Sequence, residues 1–184
     1  MNNEIWKRSL LPRTEKLFVS NMGRVRYPNE RITTGCRKYN ISTKSCYCIV
    51  KTNRRYFKVH RIVCFTFHKD TWRIWLKHVD HINHNTEDNR ESNLRFTTNQ
   101  LNQYNRRNTT GYSVRPSGNF EAHVRYSGKK LSKTFKTSQE AEDWSLAKKA
   151  ECVELALQLL RYKDAWFQNM KRVHSELCDG LRVK

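Results

Sequence analysis

The stretch Val79-Asp80-His81-Ile82-Asn83-His84-Asn85-Thr86-Glu87-Asp88-Asn89-Arg90-Glu91-Ser92-Asn93-Leu94-Arg95-Phe96-Thr97-Thr98-Asn99-Gln100-Leu101-Asn102 decides how this chain is read. A strand-like run, 77–82, leads into a polar turn rich in asparagine. A short strand, 94–97, follows, and then a polar helix from Asn99. Strand, loop, strand and helix in so short a span make a compact unit. Asp80 and His81 are adjacent, and neighbours on a strand point to opposite faces. Only a twisted or bulged strand end aims both at one site, and the polar residues 83–85 supply such an end. A fold that bends strand, strand and helix together brings Asp80, His81 and Asn102 to one point.

Phosphodiester hydrolysis asks for such a set. Water attacks in line, and negative charge builds on the phosphorus oxygens and the leaving 3′ oxygen. A hard cation answers both charges. Mg²⁺ prefers oxygen ligands and keeps several waters, so one carboxylate and one amide oxygen suffice beside the phosphate. Asp80 and Asn102 are suitable. His81 can take the proton of the attacking water, since an unperturbed imidazole titrates near neutrality. By residue type alone, an asparagine-rich run with Asp and His is more often a turn than a catalytic site, and both readings stay open at this point.

Extended through Gln103-Tyr104-Asn105, the same run resembles the HNH homing endonucleases encoded in phage and organellar introns. The pattern is D-H-x-N/D-x-N, then D-N, then N-L-R, then a helix bearing the last metal ligand. The positions of Asn93 and Asn102 relative to Asp80 agree with it. The resemblance implies a ββα-metal unit in which Asp80 and Asn102 hold one divalent metal, Mg²⁺ or Mn²⁺, and His81 is the general base. Asn93 would brace His81 by hydrogen bonding, as groups behind a metal site do. His60, in Val59-His60-Arg61, resembles the family's V-H-R segment and is expected to be structural support. His84 departs from the pattern, which usually has Gly there, so a tight turn needs another solution. Two flanks extend the resemblance. Val19-Ser20-Asn21-Met22-Gly23-Arg24-Val25 is similar to the V-S-N-x-G-R-V box found ahead of many such nucleases. Gly111 to about Glu151 resembles an APETALA-type DNA-binding domain, through Gly111-Tyr112, Phe120-Glu121-Ala122, Phe135 and Ser138-Gln139-Glu140-Ala141.

Working outward, the expected fold class is α+β, built of small modules. An N-terminal antiparallel β-sheet module spans 1–57, with a hairpin from 17–21 to 24–27 and a second pair, 47–51 and 55–59. The ββα-metal unit spans 58–105 and opens with an apolar run, 60–67, read as a short buried helix. A basic linker, 106–110, follows. Residues 111–160 form a three-stranded sheet, 112–115, 120–126 and 130–135, backed by a helix. In its middle strand Phe120, Ala122, Val124 and Tyr126 alternate with Glu121, His123 and Arg125, so one face is apolar and one polar. Thr137-Ser138-Gln139-Glu140 is a capping box that starts the helix. A helical extension, 161–184, completes the chain, with a further helix over 163–177.

Charge names the partner. Lys and Arg number 36 against 17 Asp and Glu, a net charge of +19. Self-repulsion of that size needs a reason, and neutralising a polyanion is one. Double-stranded DNA is the expected partner and a monomer the expected state. Arg115, His123, Arg125 and Lys130 share the predicted outer face of the third sheet with Ser113 and Ser132. Arginines there can read guanine edges, whereas lysines mainly meet phosphate. Lys51, Arg54, Arg55 and Lys58 on the second hairpin, and Arg106 and Arg107 in the linker, are expected phosphate contacts. No run of about 18 apolar residues is present, so no membrane span is expected. The N-terminus lacks the apolar core of a secretory signal, so the host cytoplasm, or wherever the target genome lies, is the expected location and secretion is not. Cys46, Cys48, His60 and Cys64 raise zinc as an alternative. The structural zinc of some HNH nucleases sits on C-x-x-C pairs, none of which occurs here, so zinc is not expected and free thiols are. The leading expectation is a site-directed, metal-dependent DNA endonuclease that nicks or cuts duplex DNA to 5′-phosphate and 3′-hydroxyl ends. Its rivals are a non-catalytic sequence-specific DNA-binding protein or regulator, and a ribonuclease or intron RNA binder.

Overall fold

The computed structural model describes residues 3–41, 45–105 and 111–181, with side chains described as far as Met170 and at Arg172. The chain is α+β, with several small antiparallel sheets and a long C-terminal helix, as the sequence predicts. It divides into two compact units, Met1–Arg107 and Asn108–Lys184.

In the first unit, β1 (Trp6–Arg8), β2 (Phe18–Ser20), β3 (Val25–Arg26) and β4 (Ile32–Thr33) form a four-stranded sheet in that order. A second sheet holds β5 (Cys36–Asn40), β6 (Ser45–Thr52) and β7 (Arg55–Lys58). Asn53 and Arg54 join β6 to β7 with φ of 49° and 58°, both left-handed, as a two-residue hairpin turn demands. Helix α1 (Val59–Phe67) follows, then β8 (His78–His81) paired with β9 (Leu94–Thr97), then α2 (Asn99–Tyr104). The Thr98 hydroxyl accepts a hydrogen bond from Leu101 N at 3.2 Å and so starts α2.

One hydrophobic core joins β2, β3, β6, α1 and β9. Leu17, Val19 and Val25 meet Cys48 and Val50 of β6, Val59, Ile62, Val63 and Cys64 of α1, and Leu94 of β9. The boundary expected at 57/58 therefore does not separate independent modules. Strands of two or three residues bury too little surface to stand alone, and α1 supplies the apolar face they need. The V-S-N-x-G-R-V box also touches the loop between β8 and β9 directly. Asn21 O accepts from Glu91 N at 2.8 Å. Gly23 has φ +80°, and a Cβ there would lie 2.7 Å from the backbone of Asn89. Glycine is required on both counts.

In the second unit, β10 (Tyr112–Val114), β11 (Phe120–Tyr126) and β12 (Lys129–Phe135) form an antiparallel sheet packed on α3 (Ser138–Leu181). Ala122 and Val124 of β11 are buried, as are Ala141, Ser145, Cys152 and Ala156 of α3. The capping box forms as expected: Glu140 N donates to Thr137 Oγ1 and Thr137 N to Glu140 Oε2, each at 3.3 Å. One expectation fails here. The helix does not stop near 160 to be followed by another over 163–177; α3 is a single helix of 44 residues. Residues 157–164, Leu-Gln-Leu-Leu-Arg-Tyr-Lys-Asp, hold no Gly or Pro to end it, and most are good helix formers.

Candidate functional site

Strand β8 ends at His81, and the chain turns there. His84 N donates to His81 O at 3.0 Å, and His84 takes φ +66°. That answers the question posed by His84: the left-handed turn forms with histidine in the place of glycine, at a local cost of about 1–2 kcal/mol. Asparagines carry the rest of the loop. Asn85 N donates to Asn83 Oδ1 at 2.8 Å, and Asn83 Nδ2 to Asp88 Oδ2 at 2.8 Å. The Arg90 guanidinium hydrogen-bonds Asp88 and holds its carboxyl down at about 2, so the latch stays charged at any ordinary pH.

Asp80 and His81 are only 6% and 5% exposed, yet both border one cavity of about 460 Å³. Asn102 and Asn105 border it from α2 and its C-cap, and Tyr47 and Lys58 from the second sheet. The structure thus brings together Asp80, His81 and Asn102, the three residues on which the sequence reading depends. It adds Asn105, whose Nδ2 donates to Asp80 Oδ2 at 2.9 Å, to Asp80 Oδ1 at 3.1 Å and to His81 O at 3.2 Å. Arg95, opposite Asp80 in the β8–β9 register, sends Nε and a terminal nitrogen to Asp80 Oδ2 at 3.0 and 2.9 Å. A carboxylate this buried needs such partners.

His81 is held by Asn89 rather than by Asn93. Asn89 Nδ2 donates to Glu87 O at 3.2 Å, which turns its Oδ1 toward the ring, 3.3 Å from His81 Nε2. Nε2 is then the donor, and Nδ1 carries the lone pair. Burial pushes the His81 imidazole below its usual range, with the Asn89 hydrogen bond partly opposing. The ring is therefore neutral at pH 7, the form a base needs. Asn93 is buried, but its side chain ties the loop instead: Oδ1 accepts from Asn83 N at 2.9 Å and Nδ2 donates to Asp88 O at 2.8 Å. The expectation that Asn93 hydrogen-bonds His81 is thus replaced by one in which it shapes the turn that follows His81. His60 packs edge-on against His81, with ring centroids 4.8 Å apart, and burial holds it well below the usual imidazole range.

Lys58 borders the cavity with its Nζ 3.9 Å from the Tyr47 ring centre, and burial lowers its ammonium pKa. By the register of β6 and β7, Lys51 and Lys58 share a face with Tyr47 and Tyr56, while Arg55 opposes Thr52 on the other face and Arg54 sits in the turn. Arg106 and Arg107 lie outside the described residues. In the second unit, the pairings Ser113 with Glu121, His123 with Ser132 and Arg125 with Lys130 put these residues on one face, away from Ala122 and Val124. Glu121, on the same face, reaches Arg115 at 3.1 Å and Lys130 at 2.9 Å.

Among the described residues, no three His, Cys, Asp or Glu side chains gather as a metal cluster. The oxygen-bearing side chains lining the cavity include one carboxylate, Asp80, the amides of Asn40, Asn102 and Asn105, and the hydroxyls of Ser45, Tyr47 and Thr86. Such oxygen donors suit a hard cation that keeps water and phosphate in its remaining positions. Among the described residues, no helix is long and apolar enough to cross a membrane.

In the first unit, β8, β9 and α2 bring buried Asp80 and His81 and half-buried Asn102 to one cavity. No family model matches the chain, and no curated protein matches it. A solved structure described as "DNA binding and cleavage by the HNH homing endonuclease I-HmuI" is similar over 74% of this chain and 80% of that one, at 20% identity and a TM-score of 0.42.

Proposed function

We propose that the chain is a metal-dependent DNA endonuclease of the HNH homing type. The observation that carries this reading is the meeting of Asp80, His81 and Asn102 at one cavity, with carboxylate and imidazole both nearly sealed from bulk solvent. Asp80 and Asn102 would hold a divalent cation, Mg²⁺ or Mn²⁺. When bound, that cation supplies a Lewis acid for the charge that builds on the phosphate and the leaving oxygen.

The protein's own groups do the rest. His81, neutral and fixed in tautomer by Asn89, accepts the proton of the attacking water at Nδ1. Asn93 acts as a positioning residue through the turn after His81. Lys58, held over Tyr47, offers its ammonium to a backbone phosphate entering the cavity. Lys51 shares that face, and the sheet face of Arg115, His123, Arg125 and Lys130 also contacts the duplex. With one such centre per chain, a monomer nicks one strand, or makes two successive cuts when a second copy binds. Products carry 5′-phosphate and 3′-hydroxyl ends.

A second reading has one observation in its favour. Arg95 already supplies a positive partner to Asp80, which is how a binder that no longer cuts would keep its fold. Supercoiled plasmid with Mg²⁺ or Mn²⁺ separates the two. The endonuclease relaxes it, and an Asp80→Ala variant does not. Equal plasmid relaxation by both proteins, or by neither, rejects the catalytic reading.

A further inference from the structure

The cavity holds a side chain that the sequence pattern leaves without a role. Asn105 follows the last turn of α2 as its C-cap, three positions after Asn102, and both border the same space. Its amide nitrogen stands among three oxygens: Asp80 Oδ1 at 3.1 Å, Asp80 Oδ2 at 2.9 Å and His81 O at 3.2 Å. All three are acceptors, so the NH₂ end of the amide must face them. A position ringed by oxygens, two of them on a nearly buried carboxylate, is one where positive charge is favoured. The protein fills it with the positive end of a dipole. Arg95 directs both of its donating nitrogens to Oδ2, and Asn105 is the group on Oδ1.

The two ends of an asparagine amide are nearly the same size. Rotation about Cβ–Cγ by half a turn exchanges nitrogen for oxygen with little displacement of the side chain, and that torsion is a soft one. The exchange turns a donor that satisfies Asp80 into an acceptor that serves with it. We infer that Asn105 is a third oxygen donor to the divalent cation of this site, turned one way to satisfy Asp80 when the cation is absent and the other way to bind the cation. The inference rests on the cation site proposed above. It means that α2 and its cap present two amides to the metal, Asn102 and Asn105. It also gives the buried carboxylate a partner in both states, so the site need not unfold or admit bulk water to load.

Mn²⁺ titrated calorimetrically into the full chain without DNA tests this, alongside thermal melting in chelator and in excess Mn²⁺. Asn105→Ala should bind Mn²⁺ at least roughly tenfold more weakly than wild type, the loss that even outer partners of a metal commonly cause. Asn105→Asp puts a second carboxylate beside Asp80. It should melt below wild type in chelator, recover on adding Mn²⁺, and bind Mn²⁺ at least as tightly as wild type. Wild-type affinity in Asn105→Ala, with the loss confined to Asn102→Ala, overturns the role of Asn105 and leaves the site standing. Asn105→Asp binding as poorly as Asn105→Ala makes Asn105 a structural brace and also overturns the inference. Failure of the wild-type chain to bind Mn²⁺ removes the cation site itself, and the inference with it.

Discussion

Two polar regions of this protein are built on opposite plans. Around His81, polar side chains are buried and locked to one another: Asp80 by Arg95 and Asn105, His81 by Asn89, Asn93 by the backbone of its own loop. On the outer face of the second unit's sheet, charges are exposed or half-exposed, and one carboxylate, Glu121, holds Arg115 and Lys130. Placing a buried polar group wrongly costs about 1–3 kcal/mol, whereas a surface charge can move at almost no cost. The first plan therefore preserves one geometry, which chemistry needs, and the second preserves a sign of charge, which binding to a polyanion needs. Changes in the first region should act on rate or stability, and changes in the second on affinity and its salt dependence.

The sharpest break between the two is His81→Ala. Nicking should fall by roughly 10²–10⁴-fold, the usual contribution of a positioned base, while plasmid binding at low salt stays close to wild type. Because burial lowers the His81 pKa, with the Asn89 hydrogen bond partly opposing, its protonation is shifted to lower pH than that of a free imidazole. The acid limb of the wild-type nicking rate should accordingly fall below about pH 6.5, where an unperturbed histidine would place it. Loss of binding together with cleavage would show that His81 holds the fold or the DNA instead.

A smaller effect, on stability, is expected from Gly23→Ala. The left-handed backbone and the 2.7 Å approach to Asn89 should cost about 2–4 kcal/mol together. Melting of the first unit should drop accordingly, with nicking more impaired than binding, since Asn89 is the partner of His81. An unchanged melting temperature would mean that box and loop are not coupled.

The smallest effect belongs to the open face. Arg125→Ala should weaken binding by about 1–3 kcal/mol and relax sequence preference if it meets a base edge, with the rate of cutting on saturating DNA unchanged. A site-selection experiment that returns the same preferred sequence from both proteins would place Arg125 on phosphate or off the DNA.

The same contrast explains what could be read in the sequence. Alternation along β11, the Thr137 capping box and the apolar run of α1 are repeated or paired signals, and each was legible. Asp80, His81 and Asn102 stand out only through the resemblance of their run to a family pattern, since by residue type alone the run reads equally as a turn. Strand β5 was not legible, because all five of its residues, Cys-Arg-Lys-Tyr-Asn, are exposed and show no buried alternation. Asn89 and Asn105 were not, because an asparagine looks the same in sequence whether it caps a turn or holds a buried side chain. Only the closing of the loop shows which asparagine reaches His81, and for that role it shows Asn89 where the pattern pointed to Asn93. Glu121 is legible as part of the polar face of β11 but not as the partner of Arg115 and Lys130, because alternation gives the face and not the pairing. Its two partners come from the neighbouring strand and the preceding turn.

The central claim is that carboxylate 80 and amide 102 meet at one cation beside imidazole 81. Diffraction from crystals of the chain grown with Mn²⁺, with data collected at the manganese absorption edge, tests it most directly. The account predicts one anomalous peak within bonding distance of oxygens from both Asp80 and Asn102. A well-diffracting crystal with no peak there, or with its peak on other residues, would contradict it.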